Sequence, residues 1–433
     1  MNQGPGFVDQ GGRSAADPRE WLSTAEASRL LGVKRETLYA YASRGQLRSA
    51  AATGTGAKGR VYCREDVDRL RARSQARSGH GAVAASALRW GEPVLETSIG
   101  TITSRGPVYR GRPAVDLARD GASFEDVCAL LWEGPRLVSA PLSRSGGELE
   151  GRRLGAPVSH LRALLRRGAE PFEGMLVTAA ALAAAEQGSE PSIEIARLRA
   201  ATLQRRLVAA CGLAAGADAV TASLEAETTA RALLLALGGR TTAPSAAAMT
   251  EALILAADHE LNASSFAARV AASAGASLPA CLMAALGAAS GHLHGAATAR
   301  VEALVAEVGR PERGAAVVGA RLARGDSVPG FGHQVYPEGD PRGARLLEVA
   351  ARIGGRSRGV RILVSVVNAM ELVARERPTI DVGLVALSAA LGLPRGAPLA
   401  IFASGRVAGW IAHALEERAA GFILRPRARY VGL

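Results

Sequence analysis

From Trp90 to the C-terminus the chain keeps one pattern: Ala-rich amphipathic segments with helical spacing of apolar residues, closed by frequent glycines and carrying few β-branched runs. Such spacing buries stripes rather than pleated faces, so this part of the chain is restricted to a mainly α-helical body. Ser123 and Asp126 are expected to cap a helix whose apolar face is Val127, Leu130 and Leu131, with Gly134 as its stop. Pro135 to Pro157 is a Gly/Ser/Arg-rich interruption. The most membrane-like stretch, Val270 to Ala289, is built from Ala, Gly and Ser around Pro279, which predicts a buried helix or helix pair instead of a span.

Residues 21–77 differ from the rest: 12 Lys/Arg stand against 5 Asp/Glu, so a small basic module precedes a large, mildly basic body. Ser23 with Glu26 is a capping-box start, Ala27, Leu30 and Leu31 share a face, and Gly32 stops the helix. A second helix begins near Val33, turns Leu38 and Tyr41 inward, and ends at Gly45. Thr53 to Gly59 reads as a loop, Arg60 to Tyr62 as a short strand, and Arg64 to Arg73 as a closing helix. Trp21 to Arg73 thus resembles the excisionase and MerR-type winged helix-turn-helix family. That resemblance implies a second helix in the major groove, with Lys34, Arg35, Thr37, Arg44, Lys58 and Arg60 as candidate DNA contacts. The same charges would also suit the solvated face of a docking or dimerisation module. Residues 1–20 are expected to be a flexible tail, 21–77 the winged module, and 78–89 a linker.

Cys63, Cys128, Cys211 and Cys281 are far apart and lack CxxC spacing, which points to buried thiols in a reducing cytoplasm rather than to zinc or disulfides. Phosphate-loop patterns of the GxxxxGK[ST] or strand-linked GxGxxG kind are missing. His292 and His294 lack a third and fourth ligand at metal-site spacing, so no metal is expected there. A Gly beside each imidazole suits a turn where backbone approaches a ligand. Pro329-Gly330-Phe331-Gly332-His333, followed by Asp340-Pro341-Arg342, suits a histidine polarising a carbonyl and an arginine clamping a carboxylate.

The motifs then fall into a familiar order. Tyr109-Arg110-Gly111 precedes Ser123-Phe124-Glu125 and Leu131-Trp132-Glu133-Gly134. Asp258-His259-Glu260-Leu261-Asn262-Ala263-Ser264 follows, then His294-Gly295, the Gly330–His333 and Asp340–Arg342 motifs, Pro378 to Asp381, and Arg406-Val407-Ala408-Gly409-Trp410 with Ala412-His413. In this order and spacing, Trp90 to Leu433 resembles the citrate synthase family. The resemblance implies a mostly helical homodimer with a large domain at 90–293 and 393–433 and a small domain at 294–392 that closes over substrates. It implies Asp381 as catalytic base, His294 as donor to the thioester oxygen and His333 as donor to the ketone oxygen. It further implies His259, Arg342 and Arg406 as ligands of oxaloacetate, with Arg425 supplied by the partner subunit. Coenzyme A would lie near Arg324, Val328, Gly330 and Gly332. No tightly bound cofactor is implied, since acyl-CoA is substrate and CoA product, and no membrane association is expected.

The expected activity is condensation of acetyl-CoA or another short acyl-CoA with oxaloacetate, giving citrate or 2-methylcitrate. Val382-Gly383-Leu384-Val385 replaces the family's usual Phe-Tyr-Ser-Gly, and Thr379 its usual Asn, so the acceptor pocket is altered. Ala256, His292, Gln334 and Pro337 are further departures, and none removes a catalytic group. The alternative is a DNA-binding transcriptional regulator that uses the same fold as a metabolite sensor. A sensor needs mainly the arginines, whereas His294, His333 and Asp381 are all present.

Overall fold

The computed structural model of the chain describes residues 7–8, 14–15, 21–44, 46–51, 60–68, 70, 95–133, 154–186, 192–426 and 430. It divides into two compact units, Met1–Glu96 and Thr97–Leu433. Gly45, Gly134 and Lys58, and most of the Pro135–Pro157 interruption, lie outside the described residues.

In the N-terminal unit, β1 (Phe7–Val8) pairs antiparallel with β2 (Ser14–Ala15), and Val8 pairs with Ala51. Strand β3 (Trp21–Ser23) leads into α1 (Thr24–Leu31) through the expected capping box: the Ser23 amide donates to Glu26 Oε2 at 2.9 Å and the Glu26 amide to Ser23 Oγ at 3.3 Å. Gly32, at φ 63, ends α1 in the left-handed region that glycine favours. Helix α2 (Arg35–Ser43) follows, then β4 (Ser49–Ala51) and β5 (Arg60–Cys63), and β5 pairs antiparallel with both β3 and β4. Leu22, Ala27, Leu38, Leu47, Tyr62 and Val67 form the core of this unit, with Tyr41 packed against it. Arg48 closes it from outside, its Nε 2.8 Å from Asp66 Oδ2 and its Nη2 2.8 Å from Glu65 Oε2.

The second unit opens with the three-stranded antiparallel sheet β6 (Gly100–Thr103), β7 (Gly106–Tyr109) and β8 (Arg112–Pro113). It is otherwise helical, as the periodicity predicts. Helices α3 (Ala114–Arg119), α4 (Phe124–Glu133), α5 (Val158–Ala163), α6 (Pro171–Ala185), α7 (Ile193–Ala210), α8 (Ala217–Glu225) and α9 (Thr229–Ala236) come first. The Ser123 cap on α4 is formed, with the Asp126 amide 3.0 Å from Ser123 Oγ. Then follow α10 (Ala243–Ala256), α11 (Ala263–Ser273), α12 (Leu278–Ala289), α13 (Ala297–Val308) and α14 (Gly314–Ala323). The last four are α15 (Pro341–Gly354), α16 (Arg358–Val373), α17 (Ile380–Leu391) and α18 (Ala397–Ala420). The 270–289 stretch is the helix pair α11–α12, and no described helix is long and apolar enough to cross a membrane.

Helix α18 is buried along nearly its whole length, and the large core closes around it. Gly405 and Gly409 permit this: a Cβ at Gly405 would lie 2.7 Å from the Leu253 carbonyl oxygen, and one at Gly409 2.5 Å from that of Ala257. A smaller core gathers Leu304, Val308, Val318, Val328, Ile362, Val366 and Met370 from α13, α14, the loop after α14, and α16. Helices α15 and α17 cross at their first turns, where a Cβ at Gly343 would lie 2.3 Å from the Thr379 carbonyl oxygen. That crossing sets Arg342 and Asp381 side by side.

Candidate active site

The site is built at the two crossing helix starts. Asp340 is the N-cap of α15, and its Oδ1 accepts from the Arg342 amide at 3.0 Å and from Arg342 Nε at 2.9 Å. Its Oδ2 accepts from Arg342 Nη2 at 2.8 Å and from the amide of Ile380, the first residue of α17, at 3.0 Å. One buried carboxylate thereby ties both helices together and fixes a guanidinium that is itself only 2% exposed. Burial pushes the Asp340 carboxyl up, but the charge and hydrogen bonds of Arg342 outweigh it and hold it below the usual carboxylate range. With Nε and Nη2 committed to Asp340, the Nη1 edge of Arg342 remains for a ligand.

Asp381 lies in the first turn of α17 and is half-buried. Desolvation raises its carboxyl to about 6, with Asp340 adding to the rise and a 2.9 Å hydrogen bond from Thr379 Oγ1 opposing it. Such a carboxyl is ionised at neutral pH yet holds a proton far better than an exposed aspartate, which suits a general base.

Three histidines gather nearby. His259 sits on the turn after α10, with its ring 5.8 Å from His333 and its Nε2 2.9 Å from the hydroxyl of Tyr336. Burial, Arg342 and Arg406 together hold His259 well below its usual value, and His333 and His294 add to this. His333 accepts the Val335 amide on Nδ1 at 3.1 Å, so its neutral ring carries the proton on Nε2 and can donate there. Burial and Arg342 lower its pKa too, which keeps it neutral. His294 is lowered to about 4, chiefly by burial and then by Arg406.

Ser264 is the hydrogen-bond partner of His294 Nε2. Its hydroxyl lies 2.7 Å from His294 Nε2 and accepts Trp410 Nε1–H at 3.0 Å. The serine proton has two acceptors in reach, His294 Nε2 and Asn262 Oδ1, the latter also at 2.7 Å. Asn262 Oδ1 already accepts the amides of Ser264 and Ser265. Giving the proton to His294 leaves Nδ1–H as the outward donor. The neighbouring His292 is exposed, so the two imidazoles diverge.

Arg406, on α18, donates Nε–H to the Ala256 carbonyl at 2.6 Å and lies 4.7 Å over the Phe402 ring. Burial, reinforced by Arg342 and opposed by Asp258, lowers it to about 10, so it stays a cation. Behind it runs a buried chain unrecognised in the sequence. Arg269 Nε–H donates to His413 Nδ1 at 3.0 Å, which puts the His413 proton on Nε2, 3.2 Å from Asp258 Oδ1. Asp258 Oδ2 accepts the Glu260 amide at 3.0 Å and steadies a turn in which Glu260 has φ 55. Arg269 continues to Glu417 at 2.9 Å and to Glu416, which accepts the Ser98 amide at 2.7 Å.

His259, His294, His333, Arg342, Asp381 and Arg406 therefore meet in one site. Arg425 does not join them: it is exposed on the segment after α18, where Leu424 is bonded to Ser273. Of the expected coenzyme A set, Arg324 is exposed and paired with Asp326 at 2.9 Å. The Val328 side chain is buried in the smaller core, which leaves only its backbone for a ligand. Gly330 and Gly332 take φ 86 and 74, and the Gly330 carbonyl accepts the Thr379 amide at 2.9 Å. In the N-terminal unit Lys34, Arg35, Arg44 and Arg60 are exposed, Thr37 is half-buried, and Arg35 Nε donates to the Tyr39 hydroxyl at 2.8 Å. Tyr336, Ser264 and Arg269 carried no assignment from the sequence. Tyr336 lies between the two glycine- and proline-marked motifs, and that position was the available signal.

Two family models match the chain: the citrate synthase C-terminal domain over residues 87–427 and a helix-turn-helix domain over residues 21–75. A citrate synthase of Haloferax volcanii is 32% identical over 339 residues, covering 75% of this chain and 89% of that protein. A 2-methylcitrate synthase of Mycobacterium tuberculosis is 30% identical over 332 residues, covering 75% and 84%. Among solved structures, the ternary complex of carboxymethyl coenzyme A and oxaloacetate with a citrate synthase from Thermoplasma acidophilum aligns with a TM-score of 0.68. It is 25% identical and covers 79% of this chain and 94% of that one. A citrate synthase from Pyrobaculum aerophilum gives 0.68 at 27% identity, covering 79% and 91%. With the site residues inside the matched span, the chain belongs to the citrate synthase family of acyltransferases and carries a helix-turn-helix domain ahead of the catalytic unit.

Proposed function

We propose that this enzyme condenses a short acyl-CoA with oxaloacetate, giving citrate from acetyl-CoA or 2-methylcitrate from propionyl-CoA, and releasing CoA. The observation that carries the reading is Asp381, a half-buried carboxyl raised to about 6, set one helix crossing from the fixed cation Arg342. Asp381 removes the α-proton of the thioester while His294 Nδ1–H donates to the oxygen that becomes the enol. The enol carbon attacks the ketone carbon, His333 Nε2–H gives its proton to the ketone oxygen, and the α-proton held by Asp381 is the one whose return makes the His333 ring neutral again. Water then cleaves the thioester to a carboxylate and the CoA thiol. Arg342, Arg406 and His259 hold the acceptor's carboxylates, a task for which two buried guanidinium groups are suited.

The relatives include both citrate and 2-methylcitrate synthases, and Val382 beside the base occupies less space than the aromatic usual in the family. Arg425 would complete the acceptor site from the second subunit of a homodimer, in line with its distance from the cluster in its own chain. Half-exposed apolar side chains on α11 and α12, Val270 and Met283, supply surface for that pairing. The segment 294–392, with its own core, would act as the closing domain. The exposed Lys34, Arg44 and Arg60 fit contacts with DNA phosphates, whose affinity would fall steeply with salt. An enzyme is favoured over a pure sensor because the base and both histidine donors are in place together. The deciding experiment is thiol release from acetyl-CoA and propionyl-CoA with oxaloacetate, run beside Asp381→Asn. Release that the variant lacks supports the reading, and no release from any acyl-CoA sinks it.

A further inference from the structure

Tyr336 has no role in the scheme above, yet it touches three of its members. It lies in the loop between α14 and α15 and is 3% exposed. Its ring centroid is 5.0 Å from that of His333 and 5.6 Å from that of His259, and the Arg342 guanidinium carbon lies 5.4 Å over its face. Among the described residues its hydroxyl meets one hydrogen-bond partner, His259 Nε2 at 2.9 Å.

The proton inventory of this pair is restrictive. Burial raises the Tyr336 hydroxyl to about 12, so it keeps its proton at any working pH. His259, desolvated beside Arg342 and Arg406, stays neutral and has one donor and one acceptor nitrogen. If His259 Nε2–H donated to the tyrosine oxygen, the buried phenolic proton would be stranded without an acceptor, which protein interiors avoid. The satisfied arrangement is Tyr336 O–H donating to Nε2, with the imidazole proton on Nδ1. The same ring lies against the Arg342 guanidinium, which Asp340 holds from another side.

We propose that Tyr336 is a positioning residue for the 2-oxo acid: its hydroxyl fixes His259 as the Nδ1–H tautomer, and its ring backs Arg342. The inference rests on the functional reading above, in that it takes the acceptor to be held by His259 and Arg342. Two groups that bind the acceptor are thus preset by one side chain before the ligand arrives, and preset donors bind more tightly than mobile ones.

Tyr336→Phe keeps the ring and deletes the hydroxyl. The expected result is a KM for oxaloacetate raised about tenfold, the scale of one buried hydrogen bond, with kcat and the KM for acyl-CoA within about twofold. Calorimetric titration of oxaloacetate alone should show the same loss, and Tyr336→Leu, which removes the ring from Arg342 as well, a larger one. Side-chain nitrogen NMR should find His259 as Nδ1–H in the wild type and mixed in Tyr336→Phe. An unchanged KM and dissociation constant would overturn the proposal. So would equal losses in every kinetic constant that track a lowered melting temperature, or a wild-type His259 protonated on Nε2. Wild-type protein that binds oxaloacetate without condensing it defeats the functional reading alone, and the titration and NMR then still decide Tyr336. Wild-type protein that binds no 2-oxo acid defeats both.

Discussion

Asp340 caps one of two crossing helices and Asp381 lies in the first turn of the other, and the Ile380 amide that precedes Asp381 is bonded to Asp340. Both carboxyls are desolvated, yet they move in opposite directions: Asp340 below its usual value, Asp381 up to about 6. The difference is the partner. Arg342 is forked onto Asp340, while Asp381 has a single hydroxyl donor, Thr379. Burial opposed by no more than a hydroxyl donor and a more distant cation thus makes a base, and burial with a bidentate cation makes a strut. The neighbouring strut also works on the base, because the charge of Asp340 raises Asp381 further.

The largest expected break in that comparison is Asp381→Asn, which should lower kcat about a thousandfold, within the range for a positioned acid or base. The same variant should be more stable than wild type at pH 8. A raised folded pKa favours the fold only below the unfolded value, and that advantage is lost as pH rises through about 6. Melting curves at pH 8 and pH 4 check this, and a stability gain that persists at low pH would contradict it. Next comes Arg342→Met, which strands a buried carboxylate and should cost about 3–5 kcal/mol in chemical denaturation, more at pH 7 than at pH 3. The opposite sign applies here, since the depressed pKa of Asp340 stabilises above its unfolded value and the contribution fades as pH falls through the folded one.

Asp340→Asn sharpens the comparison. With that negative charge gone, the acidic limb of the kcat/KM profile should move below about 6, and a limb that stays or rises would show that Asp340 does not act on Asp381. The smallest effect belongs to Thr379→Val. It removes the donor that favours the ionised form, so the limb should shift upward and activity at pH 6 should fall by about threefold, with little change at pH 8. Rates across pH 5 to 8 separate the two variants by the direction of the shift.

How much of this was legible in the sequence depended on whether the cause was local. The Ser23–Glu26 capping box, the Ser123 cap and the Gly32 stop are formed as expected, because each is settled within a few residues. For the 270–289 stretch the sequence left a single helix or a helix pair open, and the pair is what forms. The residues brought into the site were found from motif order, and His333 and Arg342 also from their chemistry. The supporting chain escaped notice: Arg269, His413 and Asp258 are joined across more than 140 positions, and no spacing rule announces a contact made by packing. Tyr336 escaped for another reason, since a lone tyrosine in a loop reads as ordinary apolar filling until its hydroxyl is seen against an imidazole. The side chain of Val328 likewise turned into a core that only three-dimensional packing defines.

Helix α18 has a consequence for how the chain is made. Translation delivers it after every other described helix, although the large core closes around it. Until residues 397–420 leave the ribosome, the earlier helices have nothing to cover the apolar flanks that α18 will occupy. The large core can therefore close only once α18 has emerged, and the helices made before it must wait with apolar surface uncovered.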